Sequence, residues 1–141
     1  MTMDLQKARD LLRQGGYTCV LCRGEKTVTH HKRGVAPLLE MLDSGESFEN
    51  FCAADKVVGK AAAMLYVLLG VSAVWAEIIS TPAEQVLLNS AIPVFYDRKV
   101  SAIRNRTDTG NCPMETAVWE ISDCRAGEKA IRLALEKLTG K

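Results

Sequence analysis

The sequence predicts an α/β protein, with helices on both faces of a mixed β-sheet in three layers. Three observations lead there. Residues 17–31 carry two short strand-like runs around Gly24-Glu25, a hairpin pattern. Helical and strand patterns then alternate to the end of the chain. The run from Ala73 to Ile79 is almost continuously apolar, as expected of a strand covered on both faces.

The elements follow in order. Asp4 to Gln14 has Leu5, Ala8, Leu11 and Leu12 at helical spacing, and Gly15-Gly16 stops it. Tyr17–Arg23 and Lys26–His31 are the hairpin strands. Pro37–Leu42 is a short helix closed by Ser44-Gly45. Phe51–Ala54 reads as a short strand and Lys56–Leu69 as a helix ended by Gly70. Ala73–Ile79 is the buried strand. Pro82–Asn89 is a helix with proline in its first turn. Pro93–Tyr96 and Val100–Arg104 read as strands, Pro113–Ile121 and Arg125–Leu138 as the closing helices.

The 141 residues predict one domain, 1–141, with a core that needs no staples. A net charge of +1 offers no broad basic field, so no extended nucleic acid is expected as partner. The longest apolar run, Ala61 to Leu69, is far short of the ~20 residues that span a bilayer, so no membrane is expected. Asp4 and Arg9 interrupt any secretory leader, and the five cysteines are odd in number. They read as reduced, and the protein as cytoplasmic.

Two stretches hold candidate chemistry. In "ADKVVGKAAA", Lys56 and Lys60 share a face of the expected helix near its N-terminus, where the dipole and each other's charge oppose them. They meet an anionic ligand, an internal partner such as Asp55 or Glu77, or solvent. Asp55 either caps the helix or contacts a ribose or amine; Glu77 is the lysines' partner or a general base. Gly59 gives tight helix–sheet packing or close ligand approach.

In "NRTDTGNCPME", Gly110 permits a sharp turn, Asn111 or Cys112 can cap, Pro113 suits the first helical position and Glu115 can close a capping box. The same geometry describes an anion site with Cys112 as candidate nucleophile and Glu115 beside it. Arg104 and Arg106 alternate onto one strand face, where they can neutralise a phosphate; Asn105 points the other way. Cys19-x-x-Cys22 with His30-His31 has the spacing of a zinc knuckle, but a strand sends Cys19 and Cys22 to opposite faces. Cys124 has no visible role. Trp75 and Trp119 read as core or interface aromatics.

"YTCVLCRGEK", "KRGVAPLLEML", "ADKVVGKAAA" and "NRTDTGNCPME", in this order, resemble a small, functionally uncharacterised prokaryotic family, domain of unknown function 1893, with the cytidine-deaminase-like fold. The resemblance runs from about Leu5 to Ile121. It implies an α/β/α sandwich around a five-stranded mixed sheet and brings no activity with it. The zinc motif of that fold is a His or Cys two residues before a Glu, then Pro-Cys-x-x-Cys at the next helix. Here Cys52 stands for the first ligand, but Ala54 replaces the Glu, and "TPAEQV" keeps Pro82 without either cysteine. A catalytic zinc needs three protein ligands and a deaminase needs the proton-shuttling Glu, so neither metal nor cofactor is predicted.

The expected function is a zinc-free pocket between the N-termini of helices 56–69 and 113–121. It would bind an anionic, nucleotide-like small molecule through Asp55, Lys56, Lys60, Glu77, Asn105, Arg106, Gly110 and Asn111, with non-zinc catalysis by Cys112 and Glu115. The alternative is a non-catalytic interaction module, a homodimer, marked by an exposed apolar patch with Trp75 or Trp119. Zinc-dependent nucleoside deamination is a distant third.

Overall fold

The computed structural model describes residues 1–105, 107 and 109–139. Its elements are α1 (Met3–Gly15), β1 (Cys19–Arg23), β2 (Lys26–His30), α2 (Ala36–Asp43), β3 (Cys52–Val58), α3 (Lys60–Leu69), β4 (Ala73–Ser80), α4 (Thr81–Asn89), β5 (Val94–Val100), α5 (Pro113–Val118) and α6 (Cys124–Thr139). The five strands form one mixed sheet in the order β2-β1-β3-β4-β5. β1 pairs antiparallel with β2 and β3; β3–β4 and β4–β5 are parallel. Each parallel link is made by the helix between its strands, as parallel pairing requires.

Strand alternation divides the core. Val20, Cys22, Cys52, Ala54 and Trp75 face α1 and bury its stripe of Leu5, Ala8 and Leu12. Cys19, Leu21, Ala53, Val74 and Ala76 face the other way, against α2, α3 and α4, with α6 behind them. α3 is buried almost all round, which explains an apolar run with no polar stripe. Gly70 ends α3 in a left-handed turn at φ 79°, and its amide donates to Tyr66 and Val67.

The structure corrects three boundaries. The helix expected from Lys56 begins at Lys60, because β3 runs on through Val58. Val57 and Val58 are β-branched and pair with Ile78 and Ile79, which favours strand over helix. The strand expected at Val100–Arg104 is absent: β5 extends over Val94–Val100, and only an isolated bridge joins Arg104 to Asn111. α5 stops at Val118.

Candidate functional site

A cavity of about 560 Å³ opens at the C-terminal end of β3, where open α/β sheets commonly take ligands. It is lined by the end of β3 (Asp55–Val57), Gly59 and the first turn of α3, by residues between Lys32 and Leu38, and by Ile103, Cys112, Met114 and Glu115.

Asp55 lies on the wall of this cavity, only 8% exposed. Alternation along β3 places it on the α3 side of the sheet, beneath Tyr66. The Tyr66 hydroxyl donates to Asp55 Oδ2 at 2.6 Å, and the Val57 amide donates to Oδ1 at 3.3 Å. Cys19 Sγ is 3.1 Å from the Tyr66 hydroxyl, so thiol, phenol and carboxylate form one buried chain. Burial raises the Asp55 carboxyl to about 7, against the opposing pull of its hydrogen bonds. Burial likewise pushes the Cys19 thiol and the Tyr66 phenol well above their ordinary values, and the Asp55 charge adds to both.

Glu115 is 1% exposed and does not cap its own helix. Its Oε2 accepts from the Ala61 amide at 3.3 Å, and its Oε1 accepts from the Ser80 hydroxyl at 3.2 Å. Ser80 also caps α4, accepting from the Ala83 amide. One carboxylate from α5 thus ties the starts of α3 and α4 together and meets the positive end of the α3 dipole. Burial raises its pKa, and these hydrogen bonds hold it back. Gly59 makes the approach possible: a Cβ there would lie 2.7 Å from the Glu115 carboxyl carbon.

These positions revise the expected site. Asp55, Lys56, Cys112 and Glu115 line the cavity together. Asp55 is not a helix cap, since it lies in β3. The anion expected at the start of α3 is met from within by Glu115. Lys60 is turned out of the cavity, its ammonium donating to the Trp119 carbonyl at 3.0 Å, and it shares no helix face with Lys56. Glu77 is exposed on β4 and lines no part of the cavity. Asn105 orders its own loop, bonding Thr107, Thr109 and Gly110. Gly110 and Asn111 belong to the same loop and stay outside the lining. Arg106 lies outside the described residues. With six residues, α5 is too short for a strong terminal anion site. Cys112 precedes it without a side-chain cap bond.

Sequence reasoning missed Tyr66 and weighed Cys19 only as a metal ligand; both become residues of this site only when β1 and α3 stack. It also missed the cationic rim of Lys32 and Arg33 next to His31, whose signal was present in "HHKRG". Lys32 is paired with Glu40. Cys19 and Cys22 do face opposite cores, and Cys52 sits at the far end of β3 from α3. Among the described residues no cluster of three or more His, Cys, Asp or Glu is arranged to hold a metal ion. Trp75 is buried at 3% exposure and Trp119 is 42% exposed. No helix among the described residues is long and apolar enough to cross a membrane.

No curated protein matches the chain. Among solved structures, a DUF1893 family protein (TM1506) from Thermotoga maritima superposes with a TM-score of 0.83, covering 97% of this chain and 92% of that one. At 24% identity the likeness speaks for the fold alone. The family model matches residues 7–135, nearly the whole chain. The chain belongs to the DUF1893 family, a domain of unknown function.

Proposed function

We propose that the cavity at the end of β3 binds a small anionic molecule of the nucleotide class. Its phosphate or carboxylate lies at the rim cations Lys56 and Arg33, beside His31, and a hydrogen-bonding head group reaches Asp55. Asp55 is the observation that carries the reading. A buried carboxyl on a cavity wall, titrating at about 7, can hold or give up a proton at neutral pH, as a general acid–base group must. The apolar stretch of wall between Val35, Leu38, Ala61, Ala62 and Met114 suits a flat ring. The nucleotide class rests on resemblance to the cytidine-deaminase-like fold, an analogy of architecture. Cys112 is a nucleophilic side chain facing the same volume, while burial keeps the Cys19 thiol protonated, and Cys112 allows covalent chemistry without a metal. Glu115 acts by holding the helix starts.

The test is thermal shift with nucleoside monophosphates, nucleosides and inorganic phosphate, on wild type and on Asp55→Asn and Lys56→Met. A ligand at 100 times its Kd stabilises by about 2.7 kcal/mol. Nucleotides are expected to stabilise the wild type, Lys56→Met to weaken phosphate-bearing ligands, and Asp55→Asn to weaken nucleosides as well. Failure of every compound, or equal response of all three proteins, would overturn the reading.

A homodimeric interaction module is the second reading. The edge strand β5 favours it, with Phe95 and Tyr96 exposed at 38% and 37%. Light scattering over a range of concentrations tests it: a monomer throughout would remove it.

A further inference from the structure

We propose that Cys22 and Cys52 are a redox-responsive pair that closes to a disulfide across β1 and β3 under oxidative load. The sequence sets Cys22 beside Cys19 in a C-x-x-C spacing, but the fold gives it a different partner. In the antiparallel register of β1 and β3, Cys22 stands directly opposite Cys52. Both side chains belong to the cluster beneath α1, so they share a face as well as a rung. Directly opposed residues of antiparallel strands have Cα atoms about 4.5–5.5 Å apart. Disulfides span about 4.4–6.8 Å between Cα atoms. The backbone already holds the required separation.

Each thiol has its own hydroxyl neighbours. Cys22 Sγ lies 3.9 Å from the Thr27 hydroxyl, while Cys52 Sγ lies 3.4 Å from the Ser72 hydroxyl and 3.6 Å from that of Thr2. Thr2, Thr27 and Ser72 are exposed, so each buried thiol lies one side chain below the surface. Cys52 begins β3 and the cavity lies at its other end, so neither cysteine belongs to the site described above.

The oxidant is a hydroperoxide. One thiolate attacks its terminal oxygen, the O–O bond breaks, an alcohol (or water, from hydrogen peroxide) leaves, and a sulfenic acid forms. The second thiolate attacks that sulfur, the S–O bond breaks, and water leaves with the disulfide formed. Two thiols lose two hydrogens in all, and the peroxide is reduced.

The experiment treats the native full-length chain with hydrogen peroxide. Thiols are counted over time, and peptides are mapped without reduction by tandem mass spectrometry, which tells Cys19 from Cys22. The proposal expects a Cys22–Cys52 cross-link, whatever becomes of the more exposed Cys112, and a melting temperature raised by several degrees and restored by dithiothreitol. Cys22→Ser and Cys52→Ser, each checked by circular dichroism, should both abolish the cross-link. Should one variant not fold, the wild-type map still decides. A disulfide between other cysteines, oxidation confined to Cys112 and Cys124, or a cross-link appearing only in denaturant would overturn it.

Discussion

Replacing Asp55 by Asn should remove a pH dependence of stability. In the folded chain the Asp55 carboxyl titrates at about 7, against an ordinary 3.8, because burial disfavours its charge. The folded state therefore keeps its proton to a higher pH than the unfolded state. Below about pH 4 both states are protonated and the group contributes no penalty. Between about pH 4 and 7 the folded state binds more protons, so stability falls as pH rises; above 7 the loss is complete. At 1.36 kcal/mol per pH unit, the span from 3.8 to about 7 amounts to about 4 kcal/mol at most.

Asn is nearly isosteric and carries no charge. Its carbonyl can accept from the Val57 amide and its NH₂ can donate to the Tyr66 oxygen, with the Tyr66 hydroxyl turned to Cys19. Any misfit adds an offset of about 1–3 kcal/mol that does not vary with pH. The measurement is urea unfolding of both proteins from pH 4.5 to 8.5. The difference, wild type minus variant, should fall through most of that span by several kcal/mol, with its midpoint displaced upward in Tyr66→Phe, which removes the bond that favours the carboxylate. Other titrating groups, Glu115 among them, are common to both proteins and cancel. Parallel curves for wild type and Asp55→Asn would refute a buried, perturbed Asp55, and with it the acid–base role.

Gly59→Ala should destabilise by about 1–3 kcal/mol, since its Cβ would press on the Glu115 carboxylate, and Glu115→Ala should relieve that clash in the double variant; additive losses in denaturant unfolding would deny the contact. Lys60→Met should stay within about 0.5 kcal/mol of wild type, because it exchanges one exposed hydrogen bond for relief of an unfavourable dipole term. It should also leave phosphate affinity unchanged where Lys56→Met weakens it; equal weakening by both would return Lys60 to the site. Among the five thiols Cys112 should alkylate first: Cys19, Cys22 and Cys52 are buried, and burial together with Asp123 raises the Cys124 thiol. Competitive labelling with peptide mapping checks the order, and faster labelling of Cys124 would contradict it.

Much of the fold was legible because its signals are local. Gly15-Gly16 end α1, Gly24 turns the hairpin, proline opens α4 and α5, and the apolar run of β4 reads as a buried strand. Half of the site was legible for the same reason: Asp55, Lys56, Cys112 and Glu115 lie in two short motifs that converge on the cavity. Its other half is tertiary. Nothing near Tyr66 in the sequence says that its hydroxyl reaches a carboxylate eleven residues back, and Cys19 joins them only through the antiparallel register with Asp55. The stretch "NRTDTGNCPME" looked like a ligand cradle because its Asn, Thr and Gly residues suit one, but the side chains of Asn105, Thr107 and Thr109 bond to one another.

The misplaced start of α3 had the largest chemical consequence. Had the helix begun at Lys56, Asp55 would have been its cap, accepting amide hydrogens at the positive end of a dipole, and its pKa would have gone down. The Val57-Val58 pair prolongs the strand and hands the cap position to Gly59, which has no side chain to cap with. Two results follow from that one shift. Asp55 is left in strand alternation, delivered beneath Tyr66 into a buried layer, where its pKa rises to about 7. The uncapped helix start is left open to a carboxylate from elsewhere, and Glu115 can reach it because Gly59 has no Cβ in the way. A side chain at position 59 would press on the Glu115 carboxylate and conflict with the second arrangement. Gly59 is therefore the position on which the separation of roles rests: one buried acid holds the helix starts together, while the other stays on the cavity wall with a proton it can exchange at neutral pH.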